Sequence, residues 1–260
     1  MATQRGNVKL LIDIGNTRAK LYGLEGGALT LLKTSSHQQL PVDTESLLAC
    51  RAYSQIWVAS VAQSAVIAKL SEAVAPFAVN FNLVKTPRSA YGLINAYAKY
   101  ESLGIDRWLA MLGGRQQCKR PFIVIDFGTA ITVDLVDEFG QHKGGWIAPG
   151  YRAMTNVLLS DTSQVTADQA AVLSGSRLTF GVSTEQCVSE GIRSALIGYY
   201  QQAVTTAQTS LGSKIPVRVF LTGGDAAQLP AQILKQAQLS PELVLEGLAV
   251  YANAEKSSDY

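Results

Sequence analysis

Two segments of this chain echo one another, and that echo restricts the possible folds more than any other feature. Leu10-Leu11-Ile12-Asp13-Ile14-Gly15-Asn16-Thr17 is matched, in order and in apolar setting, by Val124-Ile125-Asp126-Phe127-Gly128-Thr129. In each copy an apolar run reads as a strand, an aspartate stands at its end, a glycine turn follows, and a second strand-like run begins. Those second runs are Ala19 to Leu24 and Ile131 to Val136; third strands are expected at Ala28 to Lys33 and around Trp146. Two lobes, each opening with a strand-turn-strand unit, explain the repeat economically, and the boundary is expected between residues 113 and 120. The lobes are then 1–116 and 117–260. A doubly wound sheet is the alternative, but it needs strand-helix-strand connections, and here the glycine joins two strands.

The remaining pattern fills out an α/β chain. Helices are expected at Thr44 to Arg51, from near Gln63, at Leu103 to Cys118, and through most of Gly175 to Gln208, where Leu196, Ile197 and Tyr200 share one face. Further strands are expected at Ile56 to Val61, Phe77 to Val84 and Val217 to Leu221. A helix should follow Asp225, a short last one should carry Leu248 to Tyr251, and the Ser257-Ser258-Asp259 tail should fray.

Composition narrows the class of function. The chain is 47% hydrophobic and 16% charged, enough for a substantial core. Its 22 basic and 20 acidic residues leave a net charge of +2 with no basic run, which argues against a nucleic-acid surface. The first residues are too polar for a signal peptide, and no apolar run reaches the ~18–20 residues of a membrane span, so a cytosolic, reducing compartment is expected. Cys50, Cys118 and Cys187 have no CxxC partner and read as reduced thiols. His37 and His142 lack ligand-spaced companions, so zinc and haem chemistry are not expected.

The turns themselves suit phosphate. Backbone N–H groups around a tight glycine turn form a concave set of donors, and a threonine hydroxyl adds another. An aspartate at the strand end brings a carboxylate that can coordinate Mg²⁺ or orient a nucleophile. Arg18 and Lys20, two apart on the second strand, share a face and can offset phosphate charge. A third glycine turn, Thr222-Gly223-Gly224-Asp225, either admits a nucleoside or phosphate close to the backbone or is a sharp turn with Asp225 as N-cap. Glu246-Gly247 reads as a further turn, with a nucleotide role or a structural one. Asp106-Arg107 reads as a base beside an anchor for an acidic acceptor, or as an acid at a helix start plus a surface charge. Gly144 to Gly150 reads as a stiff pocket wall. No G-x-x-x-x-G-K-[ST] or G-x-G-x-x-G segment is present, which removes the P-loop and dinucleotide readings.

In this order the motifs resemble those of type III pantothenate kinase, a branch of the actin/sugar-kinase/Hsp70-like ATPase superfamily. The resemblance runs from about residue 8 to residue 254. The two aspartate turns identify the superfamily; Leu103-Gly104-Ile105-Asp106-Arg107 with Gly144-Gly145-Trp146-Ile147-Ala148-Pro149-Gly150 is the family-specific part. Many relatives carry proline shortly before the first of these, where this chain has Tyr100. The resemblance implies duplicated actin-like (ribonuclease H-like) lobes, each a mixed central sheet flanked by helices, with an interlobe cleft. It implies ATP-dependent phosphorylation of pantothenate to 4′-phosphopantothenate, with Mg²⁺, a monovalent cation (K⁺ or NH₄⁺) and a homodimer. By resemblance Asp13 lies in the Mg²⁺ region and Gly15, Asn16, Thr17, Arg18, Lys20, Gly128, Thr129, Thr222, Gly223 and Gly224 face the nucleotide. Asp106 is the general base and Asp126 the monovalent-cation ligand. Tyr91, Gly104, Arg107 and Gly145 belong to the pantothenate site, and Gly181 and Thr184 to a segment reaching the partner subunit's acceptor site. Competing expectations are a related small-molecule kinase or phosphatase, and a nucleotide-binding regulator without catalysis.

Overall fold

The computed structural model describes residues 8–159, 178–212 and 216–254. The chain divides into two compact units. The first comprises Met1–Tyr91, Tyr97–Gln116 and Leu243–Tyr260; the second comprises Gly92–Ala96 and Gln117–Glu242. The expected 117–260 lobe is therefore corrected at its end, because the chain from Leu243 returns to the first unit.

In the first unit β1 (Lys9–Ile14), β2 (Ala19–Glu25), β3 (Ala28–Ser35), β4 (Gln55–Ser60) and β5 (Asn80–Leu83) form a sheet in the order β3-β2-β1-β4-β5. β1 pairs antiparallel with β2 and parallel with β4. It is central, and its Lys-Leu-Leu-Ile-Asp-Ile run is buried except at Asp13. Helices α1 (Leu40–Cys50) and α2 (Ser64–Val74) connect the parallel strands; Leu40, Leu48, Leu70 and Val74 form a core with Leu10, Ile12, Ile56 and Val58. Helix α3 (Ile105–Gln117) and the C-terminal helix (Leu243–Ala254) complete the unit, the latter packed against β1 and β4. Buried Lys9 donates to the Ala252 carbonyl, so the one cation inside the first strand's apolar run caps the last turn of that helix.

The second unit repeats the plan. β8 (Phe122–Phe127), β9 (Ala130–Val136), β10 (His142–Pro149), β11 (Arg218–Thr222) and β12 (Gln238–Leu239) lie in the order β10-β9-β8-β11-β12. β8 is antiparallel to β9 and parallel to β11, and like β1 it is buried except at its aspartate. Two mixed sheets with identical strand order account for the sequence echo and dispose of the doubly wound alternative. The sheet's core face packs Ile123, Ile125 and Val133 against Ile192, Leu196 and Tyr200 of α5 (Thr184–Leu211), which follows α4 (Tyr151–Leu159). Among the described residues no helix is long and apolar enough to cross a membrane.

Several boundaries differ from expectation. Residues 178–183 are not helical: α5 starts at Thr184, where the Ser183 hydroxyl accepts from Gln186 N. Residues 175–177 and the 257–259 tail lie outside the described residues. The Phe77–Val84 run begins as the end of a 3₁₀ turn, Ala75–Phe77, and only Asn80–Leu83 is strand. After Asp225 there is a 3₁₀ turn, Ala226–Gln228, and the single turn α6 (Ala231–Leu234). Glu246-Gly247 is no turn; both residues lie inside the C-terminal helix, which is longer than expected.

Candidate active site

β1 carries Asp13 to the mouth of the first turn, which closes with Gly15 N donating to the Arg18 carbonyl at 3.0 Å. Asn16, Thr17 and Arg18 are exposed on it. Strand register sets Lys20 directly across from Asp13. Desolvation pushes the Asp13 carboxyl up to about 6; the Lys20 ammonium opposes the rise and the Asp106 carboxylate adds to it. The His37 imidazole Nε2 lies 2.9 Å from the Gly15 carbonyl, a support for the turn that no sequence pattern revealed.

Asp106 reaches this neighbourhood from the first turn of α3. Trp108 N donates to the Gly104 carbonyl at 3.1 Å, so Gly104, not Asp106, occupies the capping position. A Cβ on Gly104 would lie 2.5 Å from Asp106 Oδ1, so a side chain there would displace that carboxylate. Asp106 Oδ1 accepts from Arg107 N at 2.8 Å. Arg107 is 7% exposed, so the surface-charge reading fails. Its Nη1 donates to the Tyr97 hydroxyl at 3.0 Å, with the guanidinium 5.7 Å from that ring's centre. Tyr91 is a partly exposed residue with φ 52°.

In the second unit the counterpart turn is one residue shorter, closing with Gly128 N donating to the Ala130 carbonyl at 3.2 Å. Asp126 pairs in register with Thr132 on one side and Thr222 on the other, so no lysine faces it as Lys20 faces Asp13. Gly223 has φ 94°, and a Cβ there would lie 2.3 Å from Asp126 Oδ1 and 2.4 Å from the Phe127 carbonyl. Asp225 N donates to that same carbonyl at 2.9 Å, while the Asp225 side chain makes no cap bond. Burial pushes the Asp225 carboxyl up and Arg152 opposes it. A Cβ on Gly150 would lie 2.1 Å from the Gly128 carbonyl, so Pro149-Gly150 closes directly onto the second turn. Asp126, Gly128, Thr129, Gly150, Thr222 and Gly223 thus form one cluster, with Thr129 and Gly224 exposed.

The expected pocket wall lies on β10, the third strand expected around Trp146. Gly144 (φ 102°) marks an irregularity in its pairing, Gly145 is exposed opposite Asp134, and Trp146 turns inward onto Tyr199 at 5.7 Å. Gly181 and Thr184 line a groove of about 1170 Å³ between α4 and the start of α5. Met154, Val157, Leu158, Val182, Val188 and Ile192 give it an apolar lining.

The model of the family described as type III pantothenate kinase matches residues 9–206. A type III pantothenate kinase of Colwellia psychrerythraea is 35% identical over 254 residues, spanning 94% of this chain and 99% of its own. The chain belongs to the type III pantothenate kinase family. Solved structures agree on the fold. One from Campylobacter jejuni, assigned to a Baf family of transcriptional activators, superposes with a TM-score of 0.63 at 21% identity, covering 95% of this chain and 98% of its own. The actin-like MreB5 of Spiroplasma citri, bound to ADP, gives 0.52 at 10% identity, covering 96% and 97%. At those identities the likeness concerns architecture. Within this type III pantothenate kinase family member, sequence reasoning gave no place to His37, Tyr97 and Tyr251, whose hydrogen-bond partners Gly15, Arg107 and Trp108 lie 22, 10 and 143 residues away.

Proposed function

We propose that the chain transfers the γ-phosphoryl group of ATP to the primary hydroxyl of pantothenate, giving 4′-phosphopantothenate and ADP at the entry to coenzyme A synthesis in the cytoplasm. The observation that carries this reading is the Asp13–Asp106 pair. β1 and α3 bring two carboxylates into each other's field, one desolvated enough to sit near 6. The hydroxyl oxygen bonds to the γ-phosphorus as the bridging P–O bond breaks, and the hydroxyl proton passes to Asp106. Arg107, buried beside Tyr97, is suited to pair with the pantothenate carboxylate, with Tyr91, Gly104 and Gly145 as further acceptor-site residues. Gly15, Asn16, Thr17, Arg18 and Lys20 are suited to phosphate, and Gly128, Thr129, Thr222, Gly223 and Gly224 to the nucleotide.

The donor set fits the expected ions. A Mg²⁺ ion at Asp13 would offset phosphate charge and relieve the repulsion with Asp106. Among the described residues no group of three or more His, Cys, Asp or Glu side chains could hold a metal, and water and phosphate oxygens would complete its ligands. Around Asp126 a carboxylate and the Phe127 carbonyl lie close to the glycine turn at Gly223, hard oxygen donors suited to K⁺ or NH₄⁺. The homodimer reading is supported by the apolar groove, by Val182 in its lining and by nearby Phe180, 93% and 101% exposed.

A coupled assay for ADP, with and without pantothenate, tests the reaction. Pantothenate-dependent ADP with matching phosphopantothenate is expected; ADP release indifferent to pantothenate would overturn it. Replacing potassium by sodium should lower the rate, and an unchanged rate would remove Asp126 from the cation role.

A further inference from the structure

Tyr91 occupies a conformation that sequence usually reserves for glycine or asparagine. It has φ 52° and is followed by Gly92 at φ 76°, between the short strands β6 (Ser89–Ala90) and β7 (Leu93–Ile94). Two successive left-handed residues favour Asn-Gly or Gly-Gly, and a bulky aromatic there is strained. Yet the side chain is not core: Tyr91 is 40% exposed. A large ring kept on a strained, exposed turn implies a use for the ring itself.

One neighbour fixes that ring. Tyr251 of the C-terminal helix meets it edge-to-face, with centroids 4.9 Å apart and planes at 79°. The Tyr251 hydroxyl in turn accepts from the indole Nε1 of Trp108 at 3.0 Å. Trp108 is wholly buried and stands next to Arg107 on α3. Burial pushes the Tyr251 phenol up to about 12, with the Trp108 bond opposing the rise, so it stays neutral throughout the working range. A helix from the end of the chain therefore links the Tyr91 ring to the residue following Arg107.

We infer that Tyr251 is a positioning residue for the acceptor site, holding the Tyr91 ring in place for pantothenate through the edge-to-face contact. The inference rests on the reading of Tyr91 as a pantothenate-site residue. Three variants separate the two claims. Tyr251→Met should raise the KM for pantothenate about five- to tenfold, the worth of one aromatic pair, with the KM for ATP unchanged. Tyr251→Phe retains the ring contact and should restore pantothenate saturation. Tyr91→Ala should raise the pantothenate KM at least as much as Tyr251→Met. If Tyr91→Ala alone has the effect, or if Tyr251→Phe is as damaging as Tyr251→Met, the positioning role is overturned while the Tyr91 assignment stands. If Tyr91→Ala leaves pantothenate saturation unchanged, the Tyr91 assignment falls and takes this inference with it. Should Tyr251→Met fail to fold, 3-fluorotyrosine NMR on the unmutated sequence decides: pantothenate should shift both the Tyr91 and the Tyr251 resonances. A moving Tyr91 signal beside a stationary Tyr251 signal overturns the inference.

Discussion

Asp13 bears conflicting demands. Its carboxyl is pushed up to about 6 chiefly by desolvation, so without ligands the folded state prefers it neutral. A carboxyl whose folded pKa lies above its unfolded value contributes stability at low pH and loses it as pH rises from about 4 through about 6. Asp13→Asn should remove that loss and stabilise the unliganded protein near neutrality by on the order of 2 kcal/mol. Urea melts at pH 5 and pH 7.5 check this: the variant's advantage should be only partial at the lower pH and reach its full size at the higher. The same variant should lack Mg²⁺-ATP turnover, and the normal enzyme's kcat/KM for ATP should fall below about pH 6. Asp106→Asn should lower kcat by about two to four orders of magnitude with ATP binding intact, because the hydroxyl loses its proton acceptor. Calorimetric ATP titration alongside turnover separates the two effects. Arg107→Gln should act on the other substrate, raising the pantothenate KM about tenfold or more through loss of a buried charge-assisted pair. An unchanged pantothenate KM would count against that assignment.

Pairs of elements show why parts of the chain were legible and others were not. β1 and β8 announce themselves because a central strand buried on both faces must be a nearly continuous apolar run, broken in β1 by Lys9 and Asp13 and in β8 by Asp126. Glu246-Gly247 misled for an equally physical reason. Glycine usually marks a break, but inside the C-terminal helix it permits close packing: a Cβ on Gly247 would lie 2.0 Å from the Leu109 carbonyl of α3. Gly113 of α3 has the same relation to the Leu243 carbonyl, at 2.3 Å. Two helices distant in sequence thus touch backbone to backbone, which no local pattern encodes. Gly247→Ala should therefore cost about 1–3 kcal/mol of stability by overpacking, read from the urea midpoint, although alanine is the better helix former. The helix expected through most of residues 175–208 is present but starts at Thr184: Ser183, a local cap, starts α5, and Gly181 lies against that start, where a Cβ would fall 2.4 Å from Cys187 N.

For the whole molecule, duplication explains the plan, while the two copies differ in what surrounds their aspartates. The first turn has a lysine across from its aspartate and a second carboxylate nearby; the second has neutral threonines and two close glycines. Gly181 and Thr184 line an apolar groove. If that groove seats a second copy, Thr184 serves the partner's acceptor site, whereas Asp106 serves its own. Asp106→Asn and Thr184→Arg homodimers should then each be nearly inactive. Mixing and re-equilibrating the two proteins should recover roughly a quarter of normal turnover, because half the dimers are hybrids and each hybrid has one site free of both changes. Sedimentation should show dimers throughout, and Val182→Asp, which places a charge on the apolar face, should yield monomers with poor pantothenate saturation. A mixture no more active than its components would assign both residues to the same subunit's site, and a fully active Val182→Asp monomer would remove the partner from the reaction.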